Sequence, residues 1–201
     1  MTTSSPVVGV LALQGDYQKH REMLDRIGAS SLPVRFAGDF ERIDRLIIPG
    51  GESTVIMDLL RRFELEGAFS RFVRSRPVWG TCAGMIILAS RVNDSSISPY
   101  GMIDITVDRN GYGRQVFSTV VPATLSLNGS QDSLDMVFIR APRVTWVGEG
   151  VTTLLKRGDD PVLLCQKNVL VSAFHPELTG STLLHHYFAY RFPEVPVRQT
   201  A

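Results

Sequence analysis

A cysteine flanked by glycines is the first candidate for chemistry in this sequence. Cys82 lies in Gly80-Thr81-Cys82-Ala83-Gly84, which fits the pattern of a nucleophile placed two residues from a glycine on each side. Such a nucleophile sits on a sharp strand-to-helix turn, where strained backbone leaves room only for glycine at the flanking positions. The helix N-terminus favours the thiolate and leaves the Ala83 N–H free for an oxyanion. A buried structural cysteine beside two turn glycines is the alternative interpretation.

A histidine and a glutamate follow an apolar segment near the end of the sequence. His175 and Glu177 flank Pro176, directly after the predicted strand 170–173. Side chains alternate along an extended segment, so we expect both to face the same side, with Pro176 stiffening the backbone. The carboxylate can then orient the imidazole toward a thiol, which with Cys82 gives a nucleophile, a base and an orienting acid. Taken singly, the two residues are more typical of a structural histidine and a solvated glutamate.

Two consecutive glycines mark a third candidate site. In Pro49-Gly50-Gly51-Glu52-Ser53 they let backbone N–H groups approach a ligand closely and can supply the second donor of an oxyanion hole. Glu52 has the charge to pair with a substrate ammonium group. The alternative is an ordinary loop before a helix that Ser53 caps.

The elements around these candidates predict how they are positioned. Short apolar runs alternate with helical patterns in the first half, and short strands with turns follow from about residue 100. This order is typical of an α/β fold in three layers: a mostly parallel sheet with helices on both faces and an antiparallel extension in the second half. Ligands of such sheets bind beyond the carboxyl ends of the strands. We expect one domain over residues 1–201, with frayed tails at 1–6 and 194–201.

Composition and charge exclude several classes of partner. The chain has 201 residues with 21 basic and 20 acidic side chains, so it has no global field that attracts nucleic acid or anionic membrane. Hydrophobic residues make up 44%, enough for an ordinary core. Two cysteines form no disulfide framework, and neither a signal peptide nor a membrane span is evident. We therefore expect a cytoplasmic protein with no nucleic-acid or membrane partner.

Six segments together resemble a known family. The cysteine turn and His-Pro-Glu are shared by class I glutamine amidotransferases, and the full set resembles the glutaminase subunits of pyridoxal 5′-phosphate synthase within that class. The segments span residues 11 to 178, nearly the whole predicted domain. They are Leu11-Ala12-Leu13-Gln14-Gly15, Pro49-Gly50-Gly51-Glu52-Ser53-Thr54, Gly80-Thr81-Cys82-Ala83-Gly84, Arg109-Asn110-Gly111-Tyr112-Gly113-Arg114-Gln115, Ile139-Arg140-Ala141-Pro142 and Phe174-His175-Pro176-Glu177-Leu178.

The resemblance implies hydrolysis of L-glutamine, with the ammonia passed to a separate, ring-building synthase subunit in a hetero-oligomeric complex. It implies no cofactor and no metal. Gln14 falls in the family's segment near the oxyanion loop and the partner surface. Because the matched segments occupy almost the whole chain, we expect no domain for an acceptor substrate. By resemblance, the nucleophile is Cys82, the base His175 and its orienting partner Glu177; the glutamine-binding residues are Gly51, Glu52, Ser53, Arg109, Ile139 and Arg140; and the oxyanion donors are Gly51 and Ala83.

Other interpretations remain open from the sequence. The chain could be the glutaminase subunit of another amidotransferase, for instance one that supplies imidazole or anthranilate synthesis, or an interaction module that kept the fold. Adjacent His185 and His186 point in different directions on a helix, so we expect solvated or capping roles rather than a metal site. Cys165, inside an apolar run, is expected to pack as a small core residue.

Overall fold

The computed structural model describes residues 5–111, 118–127 and 130–193. Residues 112–115 of the segment 109–115, residues 116–117 and 128–129, and most of both predicted tails lie outside the described residues.

Strands and helices alternate through the first half of the chain, and strands dominate the second. The strands are β1 (Val8–Leu11), β2 (Ser31–Val34), β3 (Arg45–Ile48), β4 (Val78–Thr81), β5 (Ala89–Val92), β6 (Ile103–Asp108), β7 (Thr119–Leu127), β8 (Ser130–Phe138), β9 (Arg143–Val147), β10 (Thr152–Arg157), β11 (Asp160–Gln166) and β12 (Val169–Ser172). The α-helices are α1 (Tyr17–Arg26), α2 (Ser53–Arg62), α3 (Glu66–Ser75), α4 (Ala83–Leu88) and α5 (Leu183–Tyr190), and short 3-10 turns span Ala37–Arg42 and Pro176–Leu178.

The main sheet has seven strands in the order β10-β11-β12-β4-β3-β1-β2. From β2 to β12 every neighbouring pair is parallel, whereas β11 and β10 are antiparallel to their neighbours. A smaller sheet, β5-β6-β9, and the hairpin β7-β8 complete the strands in the described part of the chain. The predicted α/β fold, with a mostly parallel sheet, helices on both faces and an antiparallel extension, is confirmed.

The central strands are buried along their whole length, as expected for parallel strands covered on both faces. Every residue of β1, β4 and β12 is buried. Trp79 in β4 donates from Nε1 to the Ser172 hydroxyl in β12 at 3.2 Å, which satisfies its buried N–H. Because β1, β3, β4 and β12 run parallel to one another, the loops that follow them emerge at the same edge of the sheet. None of the helices within the described ranges is long and apolar enough to cross a membrane.

Candidate active site

The turn after β4 holds Cys82 in a strained conformation. Its φ is +47°, a region that a side chain other than glycine rarely adopts. A Cβ on Gly80 would lie 2.9 Å from Met85 N, and one on Gly84 would lie 3.1 Å from Ile48 Cβ and overlap the Ile48 carbonyl oxygen. Both flanking glycines are therefore required by the close approach of the chain, as the sequence pattern predicts. Ala83 is the first residue of α4, so its N–H has no acceptor within the helix.

The loop after β12 places His175 and Glu177 in direct contact. Nδ1 of the imidazole and Oε1 of the carboxylate are 2.7 Å apart, and both side chains are buried. The main-chain N–H of His175 donates to the Val137 carbonyl at 2.8 Å, which anchors the loop to β8. The expected extended backbone is wrong, because residues 176–178 form a 3-10 turn that begins at Pro176. Proline fits the first position of such a turn, and the turn brings the two side chains together.

The charge of His175 depends on its two neighbours at the site, Cys82 and Glu177. Burial by itself lowers the pKa of His175, but its interactions with Cys82 and Glu177 outweigh this effect and raise the pKa to about 10. Burial alone would raise the pKa of Glu177, yet the facing His20 and the hydrogen bond and charge of His175 lower it. These interactions favour a protonated imidazole beside the Glu177 carboxylate.

A cavity of about 440 Å³ opens in front of Cys82 and His175, within the range typical of small-molecule sites. It is lined by residues of the loops after β1, β3, β4 and β12 and by residues 109–110 and 139–140. Glu177 and Ala83 are not among the residues that line it. Its lining residues are Gln14, Gly15, Asp16, Gly50, Gly51, Glu52, Ser53, Cys82, Ile86, Arg109, Asn110, Ile139, Arg140 and His175, which include all six residues expected to bind glutamine.

Charged side chains converge at one end of this cavity. Glu52 Oε2 is 2.8 Å from Arg109 Nη2, and Glu52 Oε1 is 3.0 Å from Arg140 Nη2. Arg109 also faces Asp94 at 3.5 Å. Arg140 has a φ of +45°, a second strained non-glycine residue beside the cavity, and the preceding Ile139 carbonyl lies 4.0 Å from Cys82 Sγ. The two guanidinium groups and the carboxylate thus form one polar wall.

The loops after β1 and β3 are packed tightly together. Gln14 Oε1 accepts a hydrogen bond from the Glu52 N–H at 2.9 Å. A Cβ on Gly51 would lie 3.0 Å from Gln14 Cδ, and one on Gly15, whose φ is +92°, would overlap the Gly50 carbonyl oxygen. The predicted alternative role for Ser53 as a helix cap is not adopted: the hydroxyl makes no capping hydrogen bond, and within the described residues it is buried without a partner.

Two buried histidines beside the site are not identified as functional by the sequence patterns. His20 in α1 has its Nε2 3.4 Å from Glu177 Oε2 and is fully buried. Its spacing to Met23 and Leu24, which are also buried, marks it as a position on the inner face of an amphipathic helix. The expectation of a solvated or capping role is wrong for His185, which is fully buried against His20, because α5 presents it to the core; His186 is exposed. Cys165 is buried as expected.

Asp16 lies next to His175 and Glu177. Ligand atoms of Asp16, His175 and Glu177 all lie within 4.8 Å of one another, close enough to hold a metal ion. Binding an ion there would require His175 and Glu177 to give up their mutual 2.7 Å hydrogen bond. We therefore assign these two residues to each other rather than to a metal.

Comparisons with known proteins identify the family of this chain. The family model described as the SNO glutamine amidotransferase family matches residues 10–194. Pyridoxal 5′-phosphate synthase subunit PdxT from Francisella philomiragia is 50% identical over 182 residues, covering 90% of this chain and 96% of that protein. The protein of the same name from Koribacter versatilis is 46% identical over 181 residues, covering 90% and 93%. A crystal structure of a glutamine amidotransferase has a TM-score of 0.82 and 44% identity, covering 90% of this chain and 96% of that chain. The chain therefore belongs to the SNO glutamine amidotransferase family.

Proposed function

We propose that this chain is the glutaminase subunit of a pyridoxal 5′-phosphate synthase. It hydrolyses L-glutamine to L-glutamate and ammonia, and the ammonia passes to a separate subunit that builds the pyridoxal ring. The observation that carries the proposal is that Cys82 and His175 line the same polar cavity and interact there, while His175 Nδ1 is hydrogen-bonded to Glu177. The relatives that match 90% of the chain carry the name of that synthase's subunit.

In the first half of the reaction, Cys82 acts as the nucleophile. Its Sγ attacks the side-chain carbonyl carbon of glutamine, a C–S bond forms, and the carbonyl oxygen takes the negative charge. His175 then gives its proton to the amide nitrogen, the C–N bond breaks, and ammonia leaves behind a glutamyl thioester. The raised pKa of His175 means that the proton needed by the leaving group is already on the ring.

In the second half, water replaces ammonia. The now neutral His175 accepts a proton from the water as the oxygen attacks the thioester carbon. The C–S bond breaks, and glutamate leaves with Cys82 restored as thiolate and His175 as imidazolium. Throughout, Glu177 holds Nδ1–H, which keeps the other ring nitrogen directed at the reacting atoms.

The polar wall binds the amino-acid end of the substrate. We assign the glutamine carboxylate to a guanidinium group of Arg109 or Arg140, since the planar fork matches a carboxylate. Glu52, which bridges both arginines, is placed to receive the substrate ammonium group. Ser53 and Ile139, which also line the cavity, complete the binding surface.

The backbone supplies the donors for the developing oxyanion. The Ala83 N–H at the start of α4 is one, and the Gly51 N–H in the loop after β3 is the other. Gln14 accepts a hydrogen bond from the Glu52 N–H and so holds that loop in place. A displacement of the loop after β1 would therefore also displace the oxyanion donor.

A partner subunit and a reducing compartment follow from the chemistry. Ammonia released into bulk water would be protonated and lost as a nucleophile, so a subunit that receives it directly is required. Cys82 must stay reduced, for which the cytoplasm is the suitable compartment. We also propose that residues 1–201 form one amidotransferase domain.

The test is glutamate production from L-glutamine by the chain mixed with the synthase subunit. We expect Cys82→Ala to lower turnover by roughly 10³-fold or more. Cys165→Ala is the matched control, because Cys165 is the other free thiol, and burial raises its pKa to about 11. Equal turnover by the wild type and Cys82→Ala would contradict the proposal. A pull-down that captures imidazole- or anthranilate-forming synthases instead of the pyridoxal synthase subunit would redirect it to another amidotransferase.

A further inference from the structure

Behind the catalytic residues lies a buried pair of histidines that the mechanism above does not use. His20 Nδ1 and His185 Nε2 are 2.9 Å apart, and neither side chain is exposed to solvent. Both rings make edge contacts with the indole of Trp79. Polar rings at such depth are costly unless each N–H finds an acceptor, so their hydrogen bonds define what they do.

The hydrogen bonds indicate which nitrogen of each ring carries the proton. Burial lowers the pKa of both His20 and His185, so each ring is neutral with a single N–H. His185 Nδ1 is buried and has no hydrogen-bond partner among the described residues. An orphaned acceptor is tolerated better than an orphaned N–H. The His185 proton therefore lies on Nε2 and is donated to His20 Nδ1, which leaves the His20 proton on its Nε2.

The Nε2–H of His20 faces the active site. It lies 3.4 Å from Glu177 Oε2 and 3.2 Å from the Thr81 hydroxyl oxygen. Glu177 Oε2 is fully buried and has no hydrogen-bond partner among the described residues, and His20 Nε2 is the ring nitrogen that faces it at 3.4 Å. The other carboxylate oxygen, Oε1, is taken by His175. A buried carboxylate oxygen without a donor is costly, and His20 Nε2–H is placed to relieve that cost.

We propose that His20 is a positioning residue of the glutaminase reaction. Its Nε2–H holds Oε2 of Glu177, so that Oε1 stays directed at His175 and His175 stays directed at Cys82. His185 in turn fixes the His20 ring from behind. Neither His20 nor His185 lines the cavity, so the pair acts on the rate of the chemical steps and not on glutamine binding. This inference rests on the proposed function of the Cys82 site.

Three substitutions of His20 separate positioning from packing. His20→Leu removes both nitrogens. His20→Gln places an amide near the position of Nε2, where it can still donate to Glu177, whereas His20→Asn places an amide near Nδ1, where it reaches only His185. Each variant is measured in the complex with the synthase subunit, and kcat is divided by the fraction of sites that a thiol-alkylating glutamine analogue titrates.

We expect His20→Leu and His20→Asn to lower kcat by about 10- to 100-fold, with KM for glutamine within about twofold of the wild-type value. His20→Gln should restore kcat to within about fivefold of the wild type. Wild-type kcat in His20→Leu, equal losses in His20→Gln and His20→Leu, or unfolding of all three variants would overturn the proposal. Wild type and Cys82→Ala in the same series test the glutaminase function separately, since that function fails only if the wild type is inactive or Cys82→Ala is active.

Discussion

Replacing Gly50 with alanine should displace His175 without altering any side chain of the proposed triad. Gly50 is buried directly against the imidazole ring. A Cβ at this position would overlap His175 Cε1 and lie 2.9 Å from Nδ1 and 3.3 Å from Nε2. Ordinary van der Waals contact begins at 3.4 Å, so Nδ1 must retreat by about half an ångström and Cε1 by more.

The ring has little freedom to accept this displacement. Glu177 holds His175 Nδ1 at 2.7 Å and Cys82 is the other neighbour of the ring at the site, so a shift of the ring lengthens the bond to Glu177 or changes its distance from Cys82. A misplacement of about 1 Å in a catalytic group costs about 100-fold in rate. We therefore expect Gly50→Ala to lower kcat/KM for glutamine by roughly 10- to 100-fold, or about 1.4 to 2.7 kcal/mol of transition-state stabilisation.

The assay is steady-state glutamate release in the presence of the synthase subunit. Gly50 also lines the cavity, so the rate of alkylation of Cys82 by iodoacetamide is measured in parallel, because this small reagent does not need the glutamine-binding surface. Alkylation should slow together with turnover if the imidazole has moved. Gly38→Ala is the matched control, since nothing lies within 4 Å of a Cβ at that position. Wild-type turnover and alkylation in a folded Gly50→Ala protein would refute the reasoning.

Three further predictions concern the polar wall, the loop contact and the buried histidines. Arg109→Ala should raise KM for glutamine by about 10- to 100-fold with a smaller effect on kcat. Arg109→Lys should not restore the wild-type KM, because lysine lacks the fork of donors that contacts Glu52 and the substrate. Steady-state kinetics check this, with the exposed Arg62→Ala as the control. Gln14→Leu should lower kcat about fivefold, corresponding to about 1 kcal/mol for the lost hydrogen bond to the Glu52 N–H, and an unchanged kcat would show that this contact does not hold the oxyanion loop. Burial lowers the pKa of His185 well below 6.5, so below that pH the unfolded chain binds a proton that the folded chain does not. Stability should therefore fall with decreasing pH by up to about 1.4 kcal/mol per pH unit for this group, and chemical denaturation at several pH values should give a shallower fall in His185→Leu.

The sequence predicts the parts of this site that depend on local geometry. The cysteine turn needs Gly80 and Gly84 because backbone atoms of the same turn and of the neighbouring strand lie against them. Parallel strands have their carboxyl ends at one edge of the sheet. The order of the elements in the sequence therefore predicts that the loops that hold Gly51 and Cys82 lie close together. The contact between His175 and Glu177 is also predicted, although a 3-10 turn and not an extended segment produces it.

The parts that the sequence does not predict depend on contacts between distant segments. His20 and His185 are 165 residues apart in the chain, and their hydrogen bond exists only because α1 and α5 pack together. Adjacent histidines on a helix look solvated until the tertiary structure shows which of them faces the core.

The most direct test of the central claim is to isolate the covalent intermediate on Cys82. The chain and its synthase subunit are mixed with isotopically labelled L-glutamine, quenched in acid during turnover, digested and examined by mass spectrometry. We predict a labelled glutamyl thioester on the peptide that contains Cys82, absent from the Cys82→Ala protein and never found on Cys165. Sustained release of glutamate by Cys82→Ala, or label on a different residue, would contradict the account.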